Sequence, residues 1–344
     1  FREGLPHESV VEMDVLTGDA RIVTARADND HRDLFLGFPN SYGTLGYALR
    51  LRIELRPVQP YVVLRHVPFS DLDAFAAAME RVCAEREHEG EAVDFVDGTV
   101  FSPDEAYLTL GGWAATAPYA PSDYTGRQVY YRSIRERRRD VLTVLDYLWR
   151  WDTDWFWCSR AFGAQHPVVR RLWPRRLLRS DTYWRLVRWD ERTGLSARLD
   201  RLRGRPQREK VVQDIEVPVG RTAEFLRWFD AQVGMRPVWA CPLRQRDPSL
   251  TWPLYAFDPD RLYVNIGFWG TVALPDGAGD GFHNRHVEHE VARLGGRKSL
   301  YSTAFYDEAE FRALYGGDAY ARLKAAYDPQ GRLLDLYDKC VRRA

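Results

Sequence analysis

The sequence predicts an α+β fold: an antiparallel sheet covered by helices and built from duplicated β-α-β-β units, beside a smaller strand-rich subdomain. Three observations carry the prediction. Residues 61–68 read as a strand with a Val67-Pro68 exit, and residues 70–82 follow as an amphipathic helix. Residues 211–218 repeat the pattern with Val217-Pro218, and residues 222–229 supply the second helix. Each pair is followed by two more strand candidates, 92–96 and 106–110 in the first copy, 237–243 and 262–268 in the second.

The elements can be justified in order. Residues 10–16 and 20–24 form a hairpin joined by Thr17, Gly18 and Asp19, a turn-forming triplet between alternating apolar runs. Asp33, Leu34 and Phe35 then lead into a loop with Gly43 and Gly46, which empties into an apolar–basic strand up to Pro57. Glycines spaced this way suit a turn with positive φ or a close approach to another surface. In the first repeat Ser70 is the expected N-cap, ahead of an acidic first turn that suits the helix dipole.

Composition narrows the function. A chain of 344 residues with 45% hydrophobic and 13% aromatic residues can bury a large core, in two domains or one composite. Zero net charge argues against a nucleic-acid binder. Cys83, Cys158, Cys241 and Cys340 are scattered, with no paired spacing, which fits reduced thiols and a cytoplasmic address. No apolar run reaches the roughly 18 to 20 residues of a membrane span. The chain starts at Phe1 in mid-pattern, so a longer parent is expected and an N-terminal signal cannot be judged.

Between residues 160 and 210 fifteen Arg and Lys stand against five acids, interleaved with Trp173, Leu177, Trp184 and Trp189. Such a segment suits peripheral contact with anionic lipid. A solvated helical face paired with the acidic residues between 85 and 97 is the other reading. His283, His286 and His289 are spaced three and three rather than at the i, i+4 interval of helical zinc sites, and no metal is expected.

The hairpin, the Asp-Leu-Phe, the Gly-x-x-Gly loop and the strand ending in Pro57 resemble the second half of the PCMH-type FAD-binding domain of the vanillyl-alcohol-oxidase superfamily. Further landmarks narrow the resemblance: residues 162–172, residues 211–218, and a tail with Leu300, Tyr301, Phe311, Tyr320 and Tyr337. Together these resemble the delta-24-sterol reductase (Diminuto) family. The resemblance implies non-covalent FAD, NADPH as reductant and a lipid or sterol-like alkene as substrate. It also implies a division into a partial PCMH-type FAD-binding subdomain (1–57), a cap domain (58–299, with the basic insert 150–210) and a C-terminal return (300–344).

The same resemblance assigns candidate residues. Gly4 would close the preceding part of the cofactor cradle, and Tyr42, Gly43, Thr44, Leu45, Gly46 and Tyr47 would lie against FAD, mostly through backbone groups. Saturating an isolated double bond takes a hydride on one carbon and a proton on the other, so an acid must face the flavin from the cap sheet. Strand alternation puts Val212, Asp214 and Glu216 on one face. Asp214, on a strand rich in valine, is the expected donor through a burial-raised pKa, with Tyr263 and Tyr301 the further catalytic candidates. A structural carboxylate salt-bridged to arginine is the alternative for Asp214. Sugar oxidases of the superfamily carry His-Trp-x-Lys where this chain has Ser299, Leu300, Tyr301 and Ser302, which favours a reductase over an alcohol or sugar oxidase. A non-catalytic lipid-binding remnant is the remaining alternative.

Overall fold

A computed structural model describes residues 1–125 and 128–343. In chain order, β1 (Val10–Thr17) and β2 (Ile22–Arg26) form the first hairpin, and α1 (Arg32–Gly37) and β3 (Gly46–Ile53) follow. These strands make a three-stranded antiparallel sheet, β2-β1-β3. Met13, Val15, Val23 and Ala25 form its buried side, packed with Leu34 and Phe35 of α1. The core they enter also holds Trp252, Leu254 and Tyr255, together with Leu300, Phe311, Tyr315, Tyr320 and Leu336 from the end of the chain. The C-terminal residues therefore share a core with the first forty-five.

The larger layer begins with β4 (Tyr61–Phe69) and α2 (Leu72–Glu85), then the two-residue strands β5 (Glu87–His88) and β6 (Glu91–Ala92), then β7 (Phe95–Ser102) and β8 (Glu105–Ala114). Next come α3 (Tyr130–Glu136), β9 (Arg139–Thr143) and α4 (Val144–Trp149). The insert follows with α5 (Pro167–Leu172), α6 (Ser180–Thr193) and α7 (Leu195–Leu202). Then β10 (Arg208–Pro218), α8 (Thr222–Gln232), β11 (Val238–Leu243) and β12 (Tyr263–Ala273) repeat the earlier order. The chain ends with α9 (Phe282–Arg293), β13 (Arg297–Lys298), α10 (Glu308–Leu314) and α11 (Gly317–Tyr327).

Eight strands form one antiparallel sheet in the order β13-β10-β12-β11-β7-β8-β4-β9. The order is symmetric about the β11–β7 pair, with β10-β12-β11 on one side and β7-β8-β4 on the other. On one face Val211, Ile215, Val264, Ile266 and Phe268 pack against Phe75, Met79, Phe225, Phe229 and Val287 of α2, α8 and α9. Each fully buried Phe or Leu there is worth roughly 2–3 kcal/mol. The opposite face is covered at its β4–β9 end by Tyr124, Tyr130, Ile134 and Tyr147.

Two local expectations differ from the structure. Asp71, not Ser70, caps α2: its side chain accepts from the Ala74 amide, one residue deeper than expected. The strand expected over 92–96 lies at Phe95–Ser102 instead. Asp97 and Gly98 resemble a turn in sequence. In the fold Gly98 makes room for the Phe75 ring, whose edge lies 2.6 Å from where a Cβ would stand.

Candidate functional site

Alternation along β10 turns Gln213 and Ile215 toward the helices and Asp214 and Glu216 toward the other face. In register, Asp214 stands opposite Gly267 and Glu216 opposite Asn265. Glu216 is 4% exposed and takes hydrogen bonds from Asn265 Nδ2 at 3.2 Å, Ser299 Oγ at 3.3 Å and the Tyr255 hydroxyl. Burial pushes its pKa to about 8, with the charge of Asp214 adding to the rise. Burial likewise raises Asp214 to about 6, partly offset by the adjacent Tyr301 hydroxyl. Asp214 Oδ1 and Asn265 Oδ1 have no hydrogen-bond partner among the described residues.

Tyr301 reaches this site from the turn after β13 and remains 50% exposed. Its hydroxyl accepts from Trp269 Nε1 at 3.0 Å. The Trp269 indole folds back over Gly267, where a Cβ would stand 2.4 Å from the ring and 2.5 Å from Asp214 Oδ1. Only glycine leaves that space. Phe156 packs on Trp269 with ring centres 4.5 Å apart, and Trp157 and Trp239 follow at 5.5 and 6.3 Å. This aromatic wall was not foreseen; a glycine inside a strand, followed two residues later by Trp, was its signal.

The glycine loop borders the same site. Tyr42 (φ 50°) and Gly43 (φ 78°) turn the backbone through the left-handed region. Burial raises the Tyr42 phenol, whose surroundings include the Leu300 backbone and Glu216. Lys324 Nζ donates to the Thr44 carbonyl at 2.9 Å and holds the loop from below. Gly46 lies so close to β1 that a Cβ would meet the Leu16 carbonyl oxygen at 2.5 Å.

The ten expected site residues divide accordingly. The structure brings Asp214 and Tyr301 together and sets Tyr42 beside the Leu300 backbone. Gly43 and the exposed Tyr47 (55%) are surface-accessible, whereas Thr44 and Leu45 are fully buried and can offer only backbone atoms. Gly4 stands apart, packed against Glu8 and Arg246 near Glu54, which lies about 26 Å from Gly46 along β3. Tyr263 is separate too. Four residues from Gly267 on β12, its hydroxyl accepts from the Asp258 amide at 3.2 Å and fixes that loop.

The residues present are compatible with a flavin: a backbone loop pinned from beneath by Lys324 carries the Tyr42 phenol, whose surroundings include the Leu300 backbone and the buried Glu216 carboxyl. Tyr42, Gly43 and Tyr47 would hold such a cofactor. The expected anion surface is only partly basic on its outside, because Arg170 is 5% exposed and pairs with Asp154 at 2.8 Å.

Comparison with known proteins bears on this geometry. The chain is 26% identical to delta(24)-sterol reductase of Rattus norvegicus over 333 residues, covering 92% of this chain and 60% of that protein. The chain is related to the delta(24)-sterol reductases. Human delta(24)-sterol reductase is 25% identical over 92% of the chain, and the Arabidopsis thaliana protein 22% over 98%. Cytokinin dehydrogenase 5 of Oryza sativa subsp. japonica is 33% identical over 104 residues, 30% of the chain and 19% of its own length. No family model matches. The chain spans about 60% of the length of the mammalian reductases it matches. The mixed helix and antiparallel sheet is consistent with the PCMH-type superfamily.

This kinship corrects the cytoplasmic address expected from the cysteines. The relatives are named for a sterol, a lipid of bilayers, and the scattered thiols report redox state rather than compartment. No helix among the described residues is long and apolar enough to cross a membrane, which assigns no compartment either.

Proposed function

We propose that this chain is the larger part of a flavin-dependent oxidoreductase that saturates a carbon–carbon double bond of a sterol-like lipid, with non-covalent FAD and NADPH as reductant. The observation that carries the reading is the Asp214–Tyr301 pair: a buried carboxyl with a raised pKa, joined to a half-exposed phenol and bordered by the glycine loop. The relatives' names support the substrate class. The symmetric strand order supports reading the cap as two copies of one β-α-β-β unit.

A bound reduced flavin supplies the hydride that one alkene carbon receives. The residues of this chain manage the proton. Asp214 or Tyr301 donates it to the other carbon, and the exposed edge of Tyr301 lets solvent restore it. Trp269 fixes the phenol through its indole N–H. Glu216, held protonated by burial, brings no negative charge of its own against the proton-donating pair near neutral pH.

The basic insert fits a lipid surface in this reading. Leu172 (78% exposed), Leu202 (84%) and Trp189 (55%) project from its helices beside exposed arginines.

The test uses the full-length parent, reduced anaerobically. NADPH should bleach the flavin, and a sterol with a side-chain alkene should restore its colour with uptake of two hydrogens. Bleaching by an alcohol but not by NADPH would establish an oxidase instead.

A further inference from the structure

Residues 162–172, one of the landmarks in the sequence, take no direct part in the Asp214–Tyr301 site. Two of them reach inward from the basic insert. Gln165 is 3% exposed; its Nε2 donates to the Trp157 carbonyl at 3.2 Å and to Ser159 Oγ at 2.9 Å, and its Oε1 accepts from the Tyr131 hydroxyl of α3 at 2.7 Å. Arg170 of α5 pairs with Asp154 at 2.8 Å, and Asp154 Oδ2 also accepts from the Tyr130 amide at 3.0 Å. Both side chains therefore fasten the same stretch, residues 151–157. Arg150, just ahead of it, is ion-paired with Asp97 of β7 at 2.6 Å. Buried polar groups thus tie the stretch to the sheet at one end and to the insert at the other.

Between these fastenings Trp155 and Phe156 hold φ values of 46° and 57°, a left-handed conformation that bulky side chains rarely adopt. Such a backbone persists only where its surroundings over-determine it. Here it lays the Phe156 ring on Trp269 at 4.5 Å, with Trp157 following at 5.5 Å, while Cys158 Sγ donates to the Trp269 carbonyl at 3.6 Å. Trp269 Nε1 in turn donates to the Tyr301 hydroxyl at 3.0 Å. A continuous series of contacts therefore runs from Gln165 and Arg170 to the phenol beside Asp214. A buried ion pair adds little net stability over packed apolar residues, and its best-attested use is to fix one register. The Asp154–Arg170 pair has that form, selecting the placement that seats Phe156 on Trp269.

We propose that residues 151–157 are a strap that positions the Tyr301 phenol, with Gln165 and Arg170 as positioning residues acting through Phe156 and Trp269. The proposal rests on the reading of Asp214 and Tyr301 as the proton source and adds to it residues remote from the reacting atoms. It also ties the surface of the insert to the site, because α5 turns Arg170 inward while Leu172, two residues on, is 78% exposed.

The experiment reads Trp269 directly. The full-length flavoprotein is labelled with 5-fluorotryptophan, and the Trp269 signal in its fluorine NMR spectrum is assigned by its loss in Trp269→Phe. Tyr301→Phe removes the hydrogen-bond acceptor and gives the position of a released indole. Gln165→Glu keeps the acceptor for Tyr131 and loses both Nε2 donors; Phe156→Leu keeps an apolar side chain and loses the ring. Each should move the Trp269 signal toward its position in Tyr301→Phe. In each, kcat for alkene reduction should fall at least ~tenfold at unchanged KM, since misplacing a reacting group by about 1 Å costs up to ~100-fold. Both should melt cooperatively, and Phe156→Leu, at a partly exposed position, carries the test alone if the buried Gln165 variant does not fold. A Trp269 signal unmoved in the folded variants overturns the strap, whatever happens to activity. A displaced signal with undiminished kcat overturns the positioning role. The two readings fail separately: displaced signals in a protein whose wild type reduces no alkene sink the reductase and keep the strap's hold on Tyr301.

Discussion

Lys298 and Glu288 form an ion pair at 2.8 Å with side chains only 0% and 2% exposed. Lys298 Nζ also donates to the Thr303 carbonyl, and Glu288 accepts from the Phe305 amide at 3.1 Å. The pair therefore fastens to α9 both ends of the turn that carries Tyr301. Burial lowers the Lys298 pKa, and the adjacent carboxylate opposes that shift.

Removing one partner leaves the other charge buried and unmatched. Lys298→Met or Glu288→Gln should each cost about 3–5 kcal/mol, because desolvation is no longer offset. The double variant should cost less than the two single losses added. Urea unfolding of all four proteins measures this, and strict additivity would rule out the coupling.

Asp214 gives a pH dependence whose sign follows from its raised pKa. An acid raised from 3.8 to about 6 binds its proton more tightly in the folded protein. Folding stability is therefore lost as pH rises from about 4 through 6, by up to ~3 kcal/mol at 1.36 kcal/mol per unit. Asp214→Asn should be more stable than wild type at pH 8 and equal at pH 3. If Asp214 donates the proton, kcat for alkene reduction falls as pH rises through about 6. A kcat profile unchanged in Asp214→Asn would place the donor elsewhere.

Gly267→Ala tests the space under Trp269. The added methyl would meet both the indole and Asp214 Oδ1. Overpacking of this kind costs about 1–3 kcal/mol. Activity should fall far more than stability, because the displaced indole releases Tyr301. Near-ultraviolet circular dichroism with thermal melting separates the two effects, and full activity with a shifted tryptophan signal would contradict the positioning role.

The insert should bind anionic vesicles through Arg171, Arg175 and Arg176, each contributing about 1 kcal/mol at low salt. Replacing these three with Gln should release the protein without unfolding it, whereas Arg170→Gln should destabilise, since Arg170 pairs with buried Asp154. Co-sedimentation across a salt series reads the first effect and thermal melting the second. Equal pelleting with neutral and anionic vesicles would leave no electrostatic contact.

By itself the sequence determined those features that depend on neighbours along the chain. Period-2 alternation in β10 put Asp214 and Glu216 on a common face, and apolar spacing with an acidic first turn marked α2. The glycines at 43 and 46 marked a loop that the backbone could not otherwise make. The edge formed by α3, β9 and α4 was not legible, because these elements are short and follow a proline-rich stretch without strong periodicity. Alternation fixes the face on which a side chain lies but carries no information about which distant segment will cover it. Tertiary structure alone decided that Tyr301 meets Asp214 while Gly4 and Tyr263 stand apart. The same is true of the pairing that sets Asp214 opposite Gly267, which exists only once strands far apart in the chain pair in register, a choice set by burial of the helix-facing core rather than by any local motif.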